Sequence, residues 1–200
     1  MESWVEDIKE DLFSIVIASA AVSLYSILFL GSFTPIHCRC MVALGGIFSV
    51  AASFFSGFGL LYFCGQHTSS FHSWLPFLLM CIGVEHMFVI CNAIDQTSLS
   101  RSAYARVHEA LSYAGPAITT TSATTCIAFA SGMLSSLEAL RSFCLFATVC
   151  IMMLWISNMT LFLAVVVWDS RRVSEKRKEC FGMCCCEEKS ALCCGGKLAS

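Results

Sequence analysis

Two ionisable residues stand side by side in an otherwise apolar run, Pro76-Phe-Leu-Leu-Met-Cys-Ile-Gly83-Val-Glu85-His86-Met-Phe88. A charge near the middle of a membrane helix costs roughly 2.5–3.5 kcal/mol on insertion scales, so residues kept there normally face a bundle interior and mark a proton, ion or substrate path. An apolar surround disfavours the charged form of each group, and either could then change its protonation state near neutral pH. Successive residues on a helix point about 100° apart, so Glu85 and His86 need not pair with each other. The structural alternative is a neutral buried pair, hydrogen-bonded to the hydroxyl-rich run Thr119, Thr120, Thr121, Ser122, Thr124 and Thr125. Within that run Ser122, Thr124 and Thr125 form the candidate polar face beside the relay. Most of these hydroxyls are expected to bond back to their own helix or to pack against a neighbour.

No other catalytic arrangement is present. The sequence has no phosphate loop, no nucleophile elbow and no His-Glu-x-x-His metal motif, so neither enzyme activity nor a cofactor is expected. His37, His67, His72 and His108 are scattered between the apolar runs and read as solvated.

The elements that must position Glu85 and His86 follow from composition. Of 200 residues, 57% are hydrophobic and 13% charged, with mean hydropathy +0.75. A soluble domain carries about 25% charged residues. Half that charge cannot cover a water-soluble surface, and a net charge of −2 offers no field for nucleic acid. Runs of 27, 45, 28 and 27 residues lack any Asp, Glu, Lys or Arg. About 20 residues of helix cross a hydrocarbon core, and only helices or closed barrels satisfy their backbone there. The runs are too long and too weakly alternating for barrel strands. The fold class is therefore all-α, a polytopic transmembrane bundle of about five spans. The spans are Leu12–Gly31, Met41–Gly65, Trp74–Ile94, Pro116–Leu134 and Ser142–Trp168, with the long run divided at Gln66–Ser73. Residues 1–11 are an extracytoplasmic lead-in, 12–168 the bundle and 169–200 a basic, Cys-rich cytoplasmic tail.

Lys and Arg set the orientation. Loops one and three together with the tail hold ten of them, against two on the other side. The excess of basic residues belongs on the cytoplasmic face. The amino terminus then starts outside without resembling a signal peptide, and an odd span count from that side suggests a piece of a longer protein. Between spans three and four, Leu99, Ala103, Tyr104, Val107, Ala110, Leu111 and Ala114 recur at helical spacing. They predict an amphipathic cytoplasmic helix, lying on the membrane or packed under the bundle, that ends at Gly115-Pro116. In span two Gly45, Ser49, Ser53 and Gly57 repeat every four residues, a small-residue face that lets helix backbones approach closely.

Three segments acting together, Pro76–Phe88, Tyr113-Ala-Gly115-Pro116-Ala-Ile-Thr-Thr-Thr-Ser122 and Asp169-Ser-Arg171-Arg172, resemble the sterol-sensing domain of the Patched family. That domain is part of the resistance–nodulation–division permease superfamily. The likeness runs from about Ala18 to Arg172 and corresponds to the second to sixth spans of a first-half unit. The family pattern in span three is Gly-Val-Asp-Asp-x-Phe. Gly83, Val84 and Phe88 match it, Glu85 keeps an acid at the first Asp position, and His86 replaces the second. The resemblance implies that Glu85, with His86, carries a proton or cation that drives movement of sterol or lipid. It also implies partners outside this chain: membrane lipid including sterol, extracellular domains and a second transmembrane half. The alternative is a regulatory binding module that senses sterol without transport. A structural membrane anchor is a third reading.

Six of the 14 cysteines (Cys64, Cys81, Cys91, Cys126, Cys144 and Cys150) fall in spans, where Cys behaves as a small apolar residue. The tail cysteines lie in reducing cytoplasm by the deduced topology, which argues against disulfides. Beside Arg171–Lys178, Cys184, Cys185 and Cys186 are candidates for palmitoylation. Three consecutive cysteines do not make the paired spacing of a zinc site. Asn158-Met-Thr160 fits a glycosylation pattern, but it lies inside a span, out of reach of the transferase. The membrane itself is read as plasma membrane or endomembrane.

Overall fold

The structure is a computed structural model that describes residues 2–30, 40–66, 70–98 and 103–174. They form six helices: α1 (Glu2–Leu30), α2 (Cys40–Phe63), α3 (Leu75–Asp95), α4 (Ala103–Gly132), α5 (Glu138–Ser157) and α6 (Leu163–Ser174). A 3₁₀ turn, Ser70–Trp74, leads into α3, and a π turn, Asn158–Phe162, joins α5 to α6. No strand occurs among the described residues, so the all-α class is borne out. Among the described residues three segments are long and apolar enough to cross a membrane: Met41–Phe63, His72–Asp95 and Glu138–Arg171. The apolar stretch of α1, Ile15–Leu28, is shorter. The hydroxyl run Thr119–Thr125 dilutes α4.

Local sequence explains where the helices start and stop. Pro76 sits in the first turn of α3, where a missing N–H is no loss. Gly65 ends the α2 segment at φ +77°, with its N–H on Tyr62 O at 2.9 Å and the Gln66 N–H on Leu61 O at 3.0 Å. That is a left-handed cap, which glycine adopts without strain.

One boundary needs correction. The helix expected to end at Gly115-Pro116 continues through it, and α4 is unbroken from Ala103 to Gly132. The residue before a proline is pushed out of the helical region partly by its own Cβ, and Gly115 has none. The amphipathic segment and the fourth apolar segment are thus one rod. Its first half buries Val107, Ala110 and Ala114, so it packs into the bundle.

Lipid tails are as apolar as leucine, so close packing and polar contacts hold such helices together rather than hydrophobic exclusion. The small-residue face of α2 runs antiparallel along α5 and α6 as a ladder of close approaches. A Cβ on Gly45 would stand 2.8 Å from Val165, and one on Gly57 would stand 2.6 Å from Cys150 Sγ and 3.1 Å from the Cys150 backbone. Between these two rungs Ser49 meets Ser157, with 2.7 Å between the hydroxyl oxygens. Ser53 donates to Ser49 O within its own helix at 2.6 Å. On α3, Gly83 lies against Val50 so closely that a side chain there would collide with it. Layers of apolar side chains fill the remainder: Leu61, Leu75 and Phe146 at one end, Leu79, Ile151 and Leu154 in the middle, and Met87, Ile94, Val107 and Phe162 at the other.

Candidate functional site

His86 occupies the middle of the bundle at 1% exposure. Its two ring nitrogens reach different helices. Nδ1 lies 2.9 Å from Asn158 Nδ2 at the start of the π turn, and Nε2 lies 3.4 Å from Ser122 Oγ on α4. Asn158 is also 1% exposed, and its Oδ1 accepts from Ser49 Oγ on α2 at 3.1 Å. Ser157 Oγ donates to Ser49 O at 3.1 Å. A continuous chain of polar groups therefore runs Ser122–His86–Asn158–Ser49–Ser157, linking α4, α3, the π turn, α2 and α5.

Glu85 behaves differently. The expectation that it faces the bundle interior is corrected, because it is exposed on the outer surface of α3. The 100° step between neighbours on a helix turns one residue of the pair outward when the other is buried. Cys81, Glu85 and Asn92 are all exposed and share that outer stripe.

The hydroxyl run divides in the same way. Ser122 is buried and reaches His86. Thr124 is exposed and bonds back to Thr120 O and Thr121 O, while half-buried Thr125 bonds back to Thr121 O. Neither threonine touches the relay through a hydrogen bond in this arrangement. Thr119 crosses to another helix as the acceptor for Trp155 Nε1 at 3.3 Å.

Other placements follow. His72, expected in solvent, is buried at 4% exposure, with its ring edge-on to Phe146 at 4.4 Å and its Nε2 3.4 Å from Ser142 Oγ. The 3₁₀ turn before α3 carries it inward. His108 is exposed, and His37 and His67 lie outside the described residues, as do Cys184, Cys185 and Cys186. Among the described residues no group of His, Cys, Asp or Glu could hold a metal ion. At the Asp95 end, buried Arg106 crosses from α4 to cap α3, with Nε on Thr97 Oγ1 at 3.1 Å and Nη2 on Ile94 O at 3.4 Å. A cation at a helix C-terminus meets the negative end of the helix dipole. An apolar cavity of about 200 Å³ opens between α1, α2 and α3, with Ser19, Val50, Phe54, Pro76 and Met80 on its wall.

Asn158 is the residue that sequence reasoning missed. Its glycosylation pattern has no use inside a span, and that pattern drew attention from the carboxamide itself. The available signal was a carboxamide alone in a 27-residue run without charge, since buried polar groups require partners.

A family model described as "Sterol-sensing domain of SREBP cleavage-activation" matches residues 35–188. The chain belongs to the sterol-sensing domain family. Among its relatives, a Niemann-Pick type C1-related protein of Toxoplasma gondii is 37% identical over 68% of the chain and 11% of its own length. The NPC intracellular cholesterol transporter 1 homolog 1b of Drosophila melanogaster is 29% identical over 74% of the chain and 12% of its own length. Human protein patched homolog 2 is likewise 29% identical, over 76% of the chain and 12% of its own length. The chain thus matches about an eighth or less of the length of these relatives. The family and its apolar helices together make the chain a membrane, sterol-related segment, and the polar chain centred on His86 lies inside that domain.

Proposed function

We propose that this sterol-sensing domain is a lipid-handling unit of a Patched-like permease, and that Glu85 and His86 couple lipid movement to a proton or cation. The single observation that carries the reading is a titratable ring buried mid-bundle and hydrogen-bonded to two other elements, directly beside a carboxylate on the outer face. A carboxylate exposed at membrane depth is costly against lipid. It therefore favours a further membrane segment, from a second transmembrane half outside this chain, lying against the Cys81–Glu85–Asn92 stripe. Sterol as the cargo is supported by the cholesterol transporter among the relatives and by the apolar cavity between α1, α2 and α3. On this reading α1 and α4 also cross the bilayer, which gives five spans. The amino terminus is extracytoplasmic, and the tail from Asp169 onward is cytoplasmic with palmitoylated cysteines.

The test is lipid movement by the reconstituted full-length protein under an imposed ion gradient. Glu85→Gln is expected to abolish the gradient-dependent component while leaving sterol photocrosslinking intact. Gradient-dependent transport at the wild-type rate in that variant would remove Glu85 from the coupling. A second reading, a sensing module without transport, is favoured by the matched family's own description in terms of cleavage activation. Sterol crosslinking without any gradient-dependent movement, in wild type as in the variant, is the outcome that selects it.

A further inference from the structure

Polar groups sealed inside an apolar bundle must satisfy one another, and the chain Ser122–His86–Asn158–Ser49–Ser157 can be written hydrogen by hydrogen. With His86 neutral, Asn158 Nδ2–H donates to the bare Nδ1 at 2.9 Å. The ring proton then sits on Nε2 and donates to Ser122 Oγ at 3.4 Å. Ser49 Oγ–H donates to Asn158 Oδ1 at 3.1 Å, and Ser157 Oγ–H donates to Ser49 O at 3.1 Å. Each of these donors has an acceptor, and the arrangement holds only one tautomer of His86.

A carboxamide presents an oxygen and a nitrogen of nearly equal size. Turning the Asn158 amide by half a revolution exchanges them while the helices stay in place. We propose that Asn158 is the positioning residue for His86, and that its amide orientation switches with uptake of one proton by the ring. In the second state Nδ1–H donates to Asn158 Oδ1 and Nε2–H still donates to Ser122. Asn158 Nδ2–H donates to Ser49 Oγ, Ser49 Oγ–H turns to Ser157 Oγ at 2.7 Å, and Ser157 Oγ–H keeps Ser49 O. One proton enters on Nδ1, none leaves, and the site gains one positive charge. Both states give each ring nitrogen of His86, the Asn158 oxygen and one Asn158 N–H a partner, which is what a two-state element inside a rigid bundle requires.

The surroundings leave His86 as the titrating group of this chain. The side chains bonded to it or to Asn158 from α2, α4 and the π turn are Ser49, Ser122 and Asn158, none of which ionises near neutral pH. On α3, Glu85 turns outward. Tyr25 of α1 packs its ring on Phe88, the Cys126 thiol of α4 reaches Thr148 O, and Cys150 of α5 lies against Gly57. The buried Arg106 caps Ile94, eight residues along α3 and about 12 Å away along the axis. Asp169, also buried, is on α6. The π turn contributes as well. Such turns interrupt regular helix pairing and are frequent at functional sites. This one begins at Asn158, so Ser157 and Asn158 are both buried and both reach Ser49.

The proposal deepens the coupling role of His86 and rests on that role, but its test is independent of transport. The protein in lipid nanodiscs, with ¹⁵N-labelled histidine and asparagine, is followed by solid-state NMR across a pH series. The His86 signal is assigned by its loss in His86→Gln. At alkaline pH the expected spectrum has a bare Nδ1, a protonated Nε2 and a short Asn158 Nδ2–H to Nδ1 contact. On acidification both nitrogens become protonated, and the Asn158 N–H contact to the ring disappears in the same step. A wild-type ring carrying its proton on Nδ1 at alkaline pH overturns the proposal, and so does an Asn158 contact that persists after the ring is charged. In Asn158→Asp a carboxylate of the same shape, once ionised at alkaline pH, can only accept, so Nδ1 is expected to carry a proton at the pH where the wild-type Nδ1 is bare. An unchanged Nδ1 in that variant overturns the positioning role. The wild-type series needs no variant fold, so it decides the matter even if Asn158→Asp fails to assemble. Failure of Glu85→Gln to alter transport would remove the coupling function and leave these spectra as they are.

Discussion

Gly57→Ala should loosen the seam between α2 and α5, while Gly59→Ala, two residues along the same helix, should stabilise the chain. A Cβ at Gly57 would stand 2.6 Å from Cys150 Sγ, 3.1 Å from Cys150 Cα and 3.4 Å from its Cβ. The α-carbon belongs to a helix backbone, so a rotamer change at Cys150 cannot clear it and the two helices must separate. Overpacking of this kind costs about 1–3 kcal/mol. At Gly59 the added Cβ meets nothing within 4 Å. The gain in helix propensity from Gly to Ala, about 1 kcal/mol, is common to both positions and cancels in their comparison. Gly57→Ala should therefore lie about 1–3 kcal/mol below Gly59→Ala, a ratio of roughly 5 to 150 in the folding equilibrium at about 1.4 kcal/mol per tenfold. Reversible unfolding in bicelles by SDS titration measures the difference directly. Adding Cys150→Ala to Gly57→Ala removes the sulfur but leaves the new methyl pressed against the backbone of α5. The cycle should accordingly show a coupling of about 0.5–3 kcal/mol and incomplete rescue. Equal stabilities for the two glycine variants, or the reverse order, would refute the claim that backbone proximity at this rung holds the helices together.

Further outcomes follow from the same geometry. Ser49→Ala leaves Asn158 Oδ1 without its Ser49 donor and removes the contact between the Ser49 and Ser157 hydroxyls, while Ser157 keeps Ser49 O, so it should cost about 1–3 kcal/mol in that titration. Ser53→Ala loses only a bond to its own helix and should cost less than about 1 kcal/mol. Gly65→Ala forces a side chain into a left-handed conformation and should cost about 1–2 kcal/mol, with faster hydrogen exchange at the Gly65 and Gln66 amides. Arg106→Met removes a charged donor from the end of α3 and should cost about 1.5–3 kcal/mol, with exchange rising first around Gln96 and Thr97. An Arg106→Met variant as stable as wild type would mean that the cap contributes nothing.

Much of the architecture was legible because it depends on local rules. Long runs without charge point to apolar helices in lipid, and three of the five expected spans, in α2, α3 and the α5–α6 rod, are long and apolar enough to cross it. The four-residue repeat Gly45, Ser49, Ser53, Gly57 announces a close-packed face, and a periodicity of that kind needs no partner to be visible. The stop expected at Gly115-Pro116 fails for a local reason too: proline's effect on the preceding residue depends on a Cβ that glycine lacks. His72 departs from its expected exposure because a place between apolar runs does not fix solvent contact, and a 3₁₀ turn folds it against Phe146.

The pair Glu85–His86 marks the limit most clearly. Residue types and hydropathy determined that two costly groups share one helix and that a hydroxyl-rich helix follows, while three short motifs carried the resemblance to a sterol-sensing domain. Which of the pair points inward depends on how α3 is rotated against its neighbours, and that rotation is fixed by contacts between distant segments such as Gly83 against Val50. Asn158 meets His86 across 72 residues of chain, and no window along the sequence contains both. Composition and spacing thus set the solvent, the helices and the inventory of polar groups. Tertiary packing alone decided which of those groups were sealed together, because satisfying a hydrogen bond in an apolar interior depends on distance in space and not on distance along the chain.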